Sequence, residues 1–124
     1  KNRCGPVMEW NDNDMYSHVI YVDGLNGNDG NDGNIDNPVK TLEYGIELSR
    51  RIDVDGNAMK SVILREGIYY LSDTLEFDWK DSNLLMSNYD GERVVVSGGI
   101  KLNCTWKEYM KTKNNYQIYS CDLK

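Results

Sequence analysis

SVILREGIYYL at residues 61–71 and NLLMSNYDGERVVVS at residues 83–97 are the stretches that decide the fold. In both, short runs rich in β-branched and apolar residues are separated by turn-forming pairs, Glu66-Gly67 in the first and Asp90-Gly91 in the second. Such runs, bounded by turn residues, predict short β-strands. The same pattern predicts two further strands, at residues 74–78 and 100–102.

The predicted strands recur at a nearly constant interval. Ile63 and Leu85 are 22 positions apart, and Leu75 and Val95 are 20 positions apart. A recurrence near 20–22 residues with three short strands in each period is typical of one coil of a parallel β-helix. A β-sandwich is the alternative, although its turns come about every 8–12 residues and its alternation is cleaner. The pattern therefore predicts a mainly β protein and favours the β-helix.

The segment before these strands has the features of a cap. Residues 18–22 predict a short strand, and the Asn/Asp/Gly-rich residues 25–37 predict a loop. A helix is predicted over residues 38–51, with Asn37 as the N-cap and Pro38 in the first position. If Gly45 faces inward, it would allow the helix a close approach to the layer that it covers.

These predictions divide the chain into three parts. Residues 1–17 form an irregular N-terminal arm, residues 18–60 contain the capping strand, loop and helix, and residues 61–124 contain the first β-helix coils with a C-terminal segment closed by a disulfide. Residues 61–102 supply only about two coils, fewer than the three or more that a stable solenoid needs. We therefore expect the 124 residues to be a piece, or a subunit, of something larger.

Composition excludes several classes of function. A net charge of -6 repels polyanions, and no run of Lys or Arg is present, so nucleic-acid binding is disfavoured. No stretch approaches the roughly 18 apolar residues of a membrane span. The high Asn, Asp and Gly content favours turns and strands over a helical bundle.

Three cysteines give information about the compartment. Cys104 and Cys121 enclose a short loop, and a disulfide between them would stabilise the fold by about 3 kcal/mol; two buried free thiols are the alternative. Cys4 is left over, either reduced or paired outside these residues. Asn103-Cys104-Thr105 is a glycosylation sequon, with Asn103 as the acceptor. Together these features predict a secreted, extracellular protein.

Several segments in order resemble a known superfamily. They are YVDG at 21–24, NPVKTL at 37–42, VILREGIYYL at 62–71 and GERVVVSGG at 91–99, followed by Trp106, Ile118-Tyr119 and Asp122-Leu123. Over residues 19–124 this pattern resembles the N-terminal part of secreted right-handed parallel β-helix proteins of the pectate-lyase-like superfamily, in its glycosidase/lyase-like branch. The resemblance implies that the strand and helix of residues 18–51 cap the β-helix. Because the catalytic residues of that superfamily lie in later coils, no catalytic residue is carried over to this chain.

Aromatic residues are the better candidates for ligand contacts. Sugars stack on aromatic faces, which makes four residues candidate carbohydrate contacts: Tyr69, Trp79, Trp106 and Tyr109. Packing in the core is the alternative for each of them. Three acidic residues near predicted strand ends could form a carboxylate pair for acid/base chemistry, but solvated turn residues are the favoured interpretation: Asp73, Asp78 and Asp81. The single histidine, His18, precedes a strand, and a structural role is favoured for it.

Calcium is the one cofactor that the sequence raises. DVDGN at residues 53–57 has the start of a calcium loop, with Asp53 and Asp55 as weak candidate ligands. The twelfth position counted from Asp53 is Leu64 rather than the bidentate glutamate of an EF-hand. An Asx-rich turn is therefore favoured, and no other cofactor or metal is predicted.

Three functional hypotheses remain open. The first is the N-terminal capping region of an extracellular carbohydrate-active or carbohydrate-binding β-helix protein, with no complete active site in this chain. The second is a non-catalytic structural or adhesive subunit that self-assembles through exposed β-helix ends. The third is a small secreted sugar-binding module. The expected partners are a polysaccharide or glycan and either the remainder of a longer chain or other copies of this one.

Overall fold

A computed structural model describes residues 18–53 and 58–123, and these form a mainly β fold with one α-helix. The first sheet is parallel with the strand order β1-β2-β4, the second is parallel and pairs β3 with β5, and β6 and β7 form an antiparallel hairpin. The strands are β1 Val19–Val22, β2 Lys60–Leu64, β3 Gly67–Tyr70, β4 Leu84–Asn88, β5 Val94–Ser97, β6 Lys107–Lys111 and β7 Gln117–Ser120. Helix α1 spans Leu42–Arg51, and a 3-10 turn spans Trp79–Asp81. The predicted arm of residues 1–17 lies outside the described residues.

The parallel register differs from the predicted interval. Lys60 lies opposite Leu84 and Gly67 lies opposite Val94, so the repeat is 24 residues in one sheet and 27 in the other. The interval of 20–22 was wrong because the connections are longer than the sequence pattern suggested.

The strand predicted at residues 74–78 is absent and accounts for part of the extra length. This segment leads into the 3-10 turn, where the Asp78 carboxylate accepts a hydrogen bond from the Lys80 N–H and Asp81 accepts one from the Asp78 N–H. Because these side chains satisfy the local backbone, they compete with strand pairing. The strand predicted at residues 100–102 is also absent.

The helix begins later than predicted. Thr41, not Asn37, is the N-cap, and its hydroxyl oxygen accepts from the Tyr44 N–H. The preceding residues are extended because Val39 forms a parallel bridge to Val22 of β1. The Asp29 carboxylate also accepts hydrogen bonds from the Lys40 and Thr41 N–H groups. These tertiary contacts outweigh the local helix signal at Asn37 and Pro38.

Helix α1 packs directly on the first sheet. Val22, Ile46 and Val62 are fully buried between helix and strands. Gly45 faces this layer: a Cβ added there would lie 2.6 Å from Val22 Cγ2. A side chain at this position would therefore force the helix away from the sheet.

The Asn/Asp/Gly loop runs along the outer edge of β1. The Tyr21 N–H donates to the Gly33 carbonyl at 2.7 Å, and the Val39 N–H donates to the Tyr21 carbonyl at 3.0 Å. The loop folds tightly at Gly27, where an added Cβ would lie 2.2 Å from the Val39 carbonyl oxygen. One edge of the first sheet is thereby occupied by the chain itself.

Candidate functional site

β4 is the last strand of the first sheet, on the side away from β1, and β5 is the later strand of the second sheet. We name the outer sides of these two strands the open edge. In the part of the chain that the structure describes, no strand pairs with the outer side of either. The Asn83 carbonyl and the Tyr89 N–H both bond to β2. Since peptide groups alternate in direction along a strand, those of Leu84 and Met86 point outward, away from β2. The open edge therefore presents backbone donors and acceptors to another strand.

A groove of about 600 Å³ lies beside the open edge, between β4 and β5. Leu64, Met86, Val94 and Val96 supply its apolar lining. Val96 is 45% exposed and Val95 is 38% exposed, so valines of β5 remain in contact with solvent. An apolar lining beside unpaired backbone is suited to receiving a further layer of chain.

An ion pair fixes the corner next to this groove. The Arg65 guanidinium forms a bidentate ion pair with the Glu92 carboxylate, with Nη2 2.8 Å from Oε1 and Nε 2.9 Å from Oε2. The hydrogen bond from Arg65 holds the pKa of Glu92 below its usual value. The guanidinium also lies 4.6 Å from the centre of the Tyr89 ring. These contacts hold the turn after β4 in place against the end of β2.

A second ion pair joins the helix to the 3-10 turn. Arg50 Nε and Nη2 lie 2.8 Å from the two carboxylate oxygens of Asp81, and the side chain of Asp81 is 3% exposed. The hydrogen bond from Arg50 lowers the pKa of Asp81. Asp81 and its neighbour Asp78 are therefore engaged in fixing this turn, and Asp73 accepts from the Thr74 N–H. These contacts support the interpretation of Asp73 and Asp78 as turn residues. Asp81 also belongs to the turn, but the expectation of a solvated carboxylate was wrong for it, because its side chain is buried against Arg50.

Three of the four candidate carbohydrate contacts are exposed. Trp79 is 78%, Trp106 58% and Tyr109 67% exposed, and the last two lie at the start of the β6–β7 hairpin. The structure corrects the fourth candidate. Tyr69 is 6% exposed, and its hydroxyl lies 2.8 Å from the Arg65 carbonyl oxygen. Tyr69 is a core residue because its ring fills the interior while its hydroxyl bonds to buried backbone.

The C-terminal segment contains a hairpin that the sequence analysis missed. The structure joins Cys104 to Cys121 in a disulfide with Cα atoms 5.9 Å apart, beside the first hairpin pair, Lys107 and Ser120. Asn115 adopts φ 63° in the turn, and the pair Asn114-Asn115 between two alternating segments was the available signal. Asn103 is exposed next to this disulfide and borders a cavity of about 340 Å³. The glycan at Asn103 stays a prediction.

The calcium candidates gain no partners from the described residues. Asp53 is exposed at the end of a described segment, and Asp55 lies outside the described residues. Over residues 18–53 and 58–123, no group of three or more His, Cys, Asp or Glu side chains could hold a metal ion. In the cap loop, Asp23 accepts hydrogen bonds from the Leu25 and Asn26 N–H groups. Its oxygens are used to fold the loop.

Comparison with solved structures gives a likeness to glycoside hydrolases. The chain superposes on a protein described as a glycoside hydrolase with a TM-score of 0.66 and 25% identity, over 75% of this chain and 17% of that one. Two structures of a GH136 lacto-N-biosidase from Eubacterium ramulus, native and selenomethionine-labelled, match with TM-scores of 0.40 and 0.45 at 21% and 20% identity, each over 82% of this chain and 17% of that one. The chain therefore spans about a sixth of the length of the structures it matches.

No family model and no curated protein matches the chain. The likeness in fold and the Cys104–Cys121 disulfide fit an extracellular protein. None of the helices in the described residues is long and apolar enough to cross a membrane.

Proposed function

We propose that this chain forms the N-terminal capping end of an extracellular, carbohydrate-active protein built as a right-handed parallel β-helix. The capping end contacts glycan through exposed aromatic residues, and the catalytic groups lie outside this chain. The single observation that carries the proposal is the difference between the covered edge of β1 and the open edge. The outer edge of β1 is occupied by the loop, whereas β4 and β5 form the open edge.

Physical reasoning connects this difference to a cap. The first coil of a solenoid would expose an apolar cross-section and unpaired strand edges unless something covered them. Here the loop bonds to Tyr21, and α1 covers Val22 and Val62. Growth of the first sheet is blocked at the β1 edge and remains open at the β4 edge. The likeness to a glycoside hydrolase over 17% of its length supports a part of a larger carbohydrate-active protein.

Amide hydrogen exchange within β4 tests the cap. The Met86 N–H points outward from the open edge, while the Ser87 N–H points towards β2. In the native protein we expect both amides to exchange slowly, because a following coil pairs with Met86. Ser87 is the internal control, since it is protected with or without that coil. Fast exchange at Met86 beside slow exchange at Ser87 would overturn the proposal.

The same open edge supports a second candidate, a structural or adhesive subunit that stacks on copies of itself. Protection of Met86 would result from either function, so intact mass has to separate them. A native polypeptide well above 14.3 kDa supports the cap of a longer chain. A polypeptide of 14.3 kDa that forms large particles in light scattering would contradict the cap and support self-assembly.

Glycan contact is tested on the exposed aromatic residues. We expect Trp79→Ala and Trp106→Ala each to weaken binding in a glycan array about tenfold, since a lost stacking contact is worth roughly 1.4 kcal/mol. Leu25→Ala is the matched control, because Leu25 is 77% exposed and Trp79 is 78% exposed. Unchanged binding in both tryptophan variants would remove these residues from the proposed contact.

The extracellular location is tested at the sequon. We propose that Asn103 carries a glycan, since it is exposed and Thr105 completes the acceptor site. Enzymatic deglycosylation of the native protein should lower its mass, and Asn103→Gln should abolish that shift. No shift in the native protein would contradict the glycan.

A further inference from the structure

The β6–β7 hairpin lacks the burial that usually holds a sheet together. Every residue of both strands is exposed. Met110 pairs with Ile118 and Glu108 pairs with Tyr119, and because neighbours on β7 point to opposite faces, these two pairs lie on opposite faces of the hairpin. Neither face is therefore packed to the degree of a core layer. An isolated two-stranded hairpin is marginally stable at best in water.

The turn end of the hairpin is held by hydrogen bonds. The Thr112 N–H donates to the Tyr116 carbonyl at 2.8 Å, and the Asn115 N–H donates to the Thr112 carbonyl at 2.9 Å. The Tyr116 N–H donates to the Thr112 hydroxyl at 3.1 Å. These bonds set the register of the strands but act over a few residues only.

The other end of the hairpin is held by a covalent bond. The Cys104–Cys121 disulfide lies just outside the first pair, Lys107 and Ser120. The ladder is also interrupted between Glu108 and Met110, where the register shifts by one residue. The disulfide therefore keeps together the strand ends that the turn cannot hold, and it does so mainly by limiting the freedom of the opened segment.

We propose that the Cys104–Cys121 disulfide is a redox switch for the hairpin, which is formed when the disulfide is closed and opens when it is reduced. Trp106, Tyr109 and Tyr119 belong to this segment, so the aromatic surface that they supply exists only in the oxidised protein. Only the consequence for glycan contact rests on the proposed function. The folding of the hairpin is independent of it.

The chemistry of the switch is thiol–disulfide exchange with a dithiol. One thiolate of the reductant attacks a sulfur of the disulfide, forms a mixed disulfide and releases one cysteine thiolate. The second thiol of the reductant then releases the other cysteine. Two electrons pass to the protein, the reductant becomes a disulfide, and each cysteine takes up one proton.

The experiment compares oxidised protein with protein reduced by dithiothreitol, both carrying Cys4→Ser to prevent exchange with the third cysteine. Amide exchange is followed in β6 and β7, with β2 as the internal control because all five of its residues are buried. We expect protection in the hairpin to fall about 100-fold on reduction, the factor that corresponds to a loop of this size, and protection in β2 to stay unchanged. A hairpin that keeps its protection in the reduced protein would overturn the switch. Loss of protection in β2 as well would also overturn it, because the disulfide would then hold the whole fold.

A variant lacking both cysteines removes the reductant from the comparison. Cys104→Ser combined with Cys121→Ser in the same background should show the open hairpin without dithiothreitol, and adding dithiothreitol should change nothing further. A closed hairpin in this variant contradicts the proposal. Oxidised protein that binds no glycan contradicts the proposed function instead, and the exchange data separate the two results.

Discussion

Replacing Gly45 with alanine tests how closely helix α1 must approach the first sheet. Gly45 is buried within the helix, and its close contact lets α1 cover β1 and β2. The substitution adds one methyl group and changes no charge or hydrogen bond. Its effect on stability therefore reports on two opposing quantities, helix propensity and steric overlap.

The magnitudes decide the sign of the effect. Alanine is favoured over glycine in a helix by about 1 kcal/mol. Against this, the added Cβ would lie 2.6 Å from Val22 Cγ2, closer than two carbon atoms can approach, while its contacts with Val39 and Val62 at 3.6 Å are ordinary. Overpacking a core costs about 1–3 kcal/mol, and Val22 is fully buried. After the gain in helix propensity is subtracted, we expect Gly45→Ala to lower the free energy of unfolding by up to about 2 kcal/mol.

Urea unfolding followed by circular dichroism measures the effect, and a second background isolates its cause. Val22→Ala removes the atom that Cβ would strike, at a cost of roughly 2 kcal/mol of its own. In that background Gly45→Ala should stabilise the protein by up to about 1 kcal/mol, because only the helix propensity remains. Stabilisation by Gly45→Ala in the wild-type background, or an equal effect in both backgrounds, would refute the close approach of helix and sheet.

Three further predictions concern the cap. Gly27→Ala should lower the free energy of unfolding by about 3 kcal/mol or more, since its Cβ would overlap the Val39 carbonyl, whereas Gly98→Ala, with nothing within 4 Å, should stay within about 0.5 kcal/mol in the same urea assay. Burial alone would raise the pKa of Asp29, but hydrogen bonds from the Thr41 N–H and hydroxyl and from the Lys40 N–H lower it below the usual 3.8. The stabilisation by this carboxylate is present above that pH and is lost as pH falls through the folded pKa, so Asp29→Asn should flatten acid unfolding. Tyr69→Phe should cost about 1–2 kcal/mol in thermal unfolding, because buried backbone loses its partner; no loss would contradict its core role.

The parallel architecture could be predicted because its signal is local and repeated. VIL at residues 62–64, IYY at residues 68–70 and VVV at residues 94–96 all lie within strands, since each combines β-branched or aromatic residues with adjacent turn pairs. The inward position of Gly45 was left open by the sequence. A glycine inside a helical pattern carries a propensity penalty, which a close contact with Val22 explains.

The errors occurred where tertiary contacts outweigh local preference. Asn37 and Pro38 are good helix starters, but the bridge from Val39 to β1 extends the chain until Thr41. Tyr69 lies in an alternating segment, where it resembles a surface aromatic residue. Its hydroxyl, however, donates a hydrogen bond to the carbonyl of Val22, 47 residues earlier, and a local pattern does not reveal that contact. The register of the parallel sheets and the partners of buried residues depend on contacts between distant residues, which one sequence does not display.

The Asn, Asp and Gly residues of the loop at 25–37 suit this segment to covering the outer edge of β1. Covering β1 requires a segment that bonds to the strand and leaves no regular edge of its own. Asn28, Asp32 and Asn34 meet that requirement because their side chains accept from N–H groups two residues further along. These contacts satisfy part of the loop's backbone within the loop itself, while the Gly33 carbonyl bonds to Tyr21 of β1. Among the described residues no strand pairs with the outer side of β4, so that edge of the first sheet, unlike the β1 edge, presents unpaired backbone to a further strand.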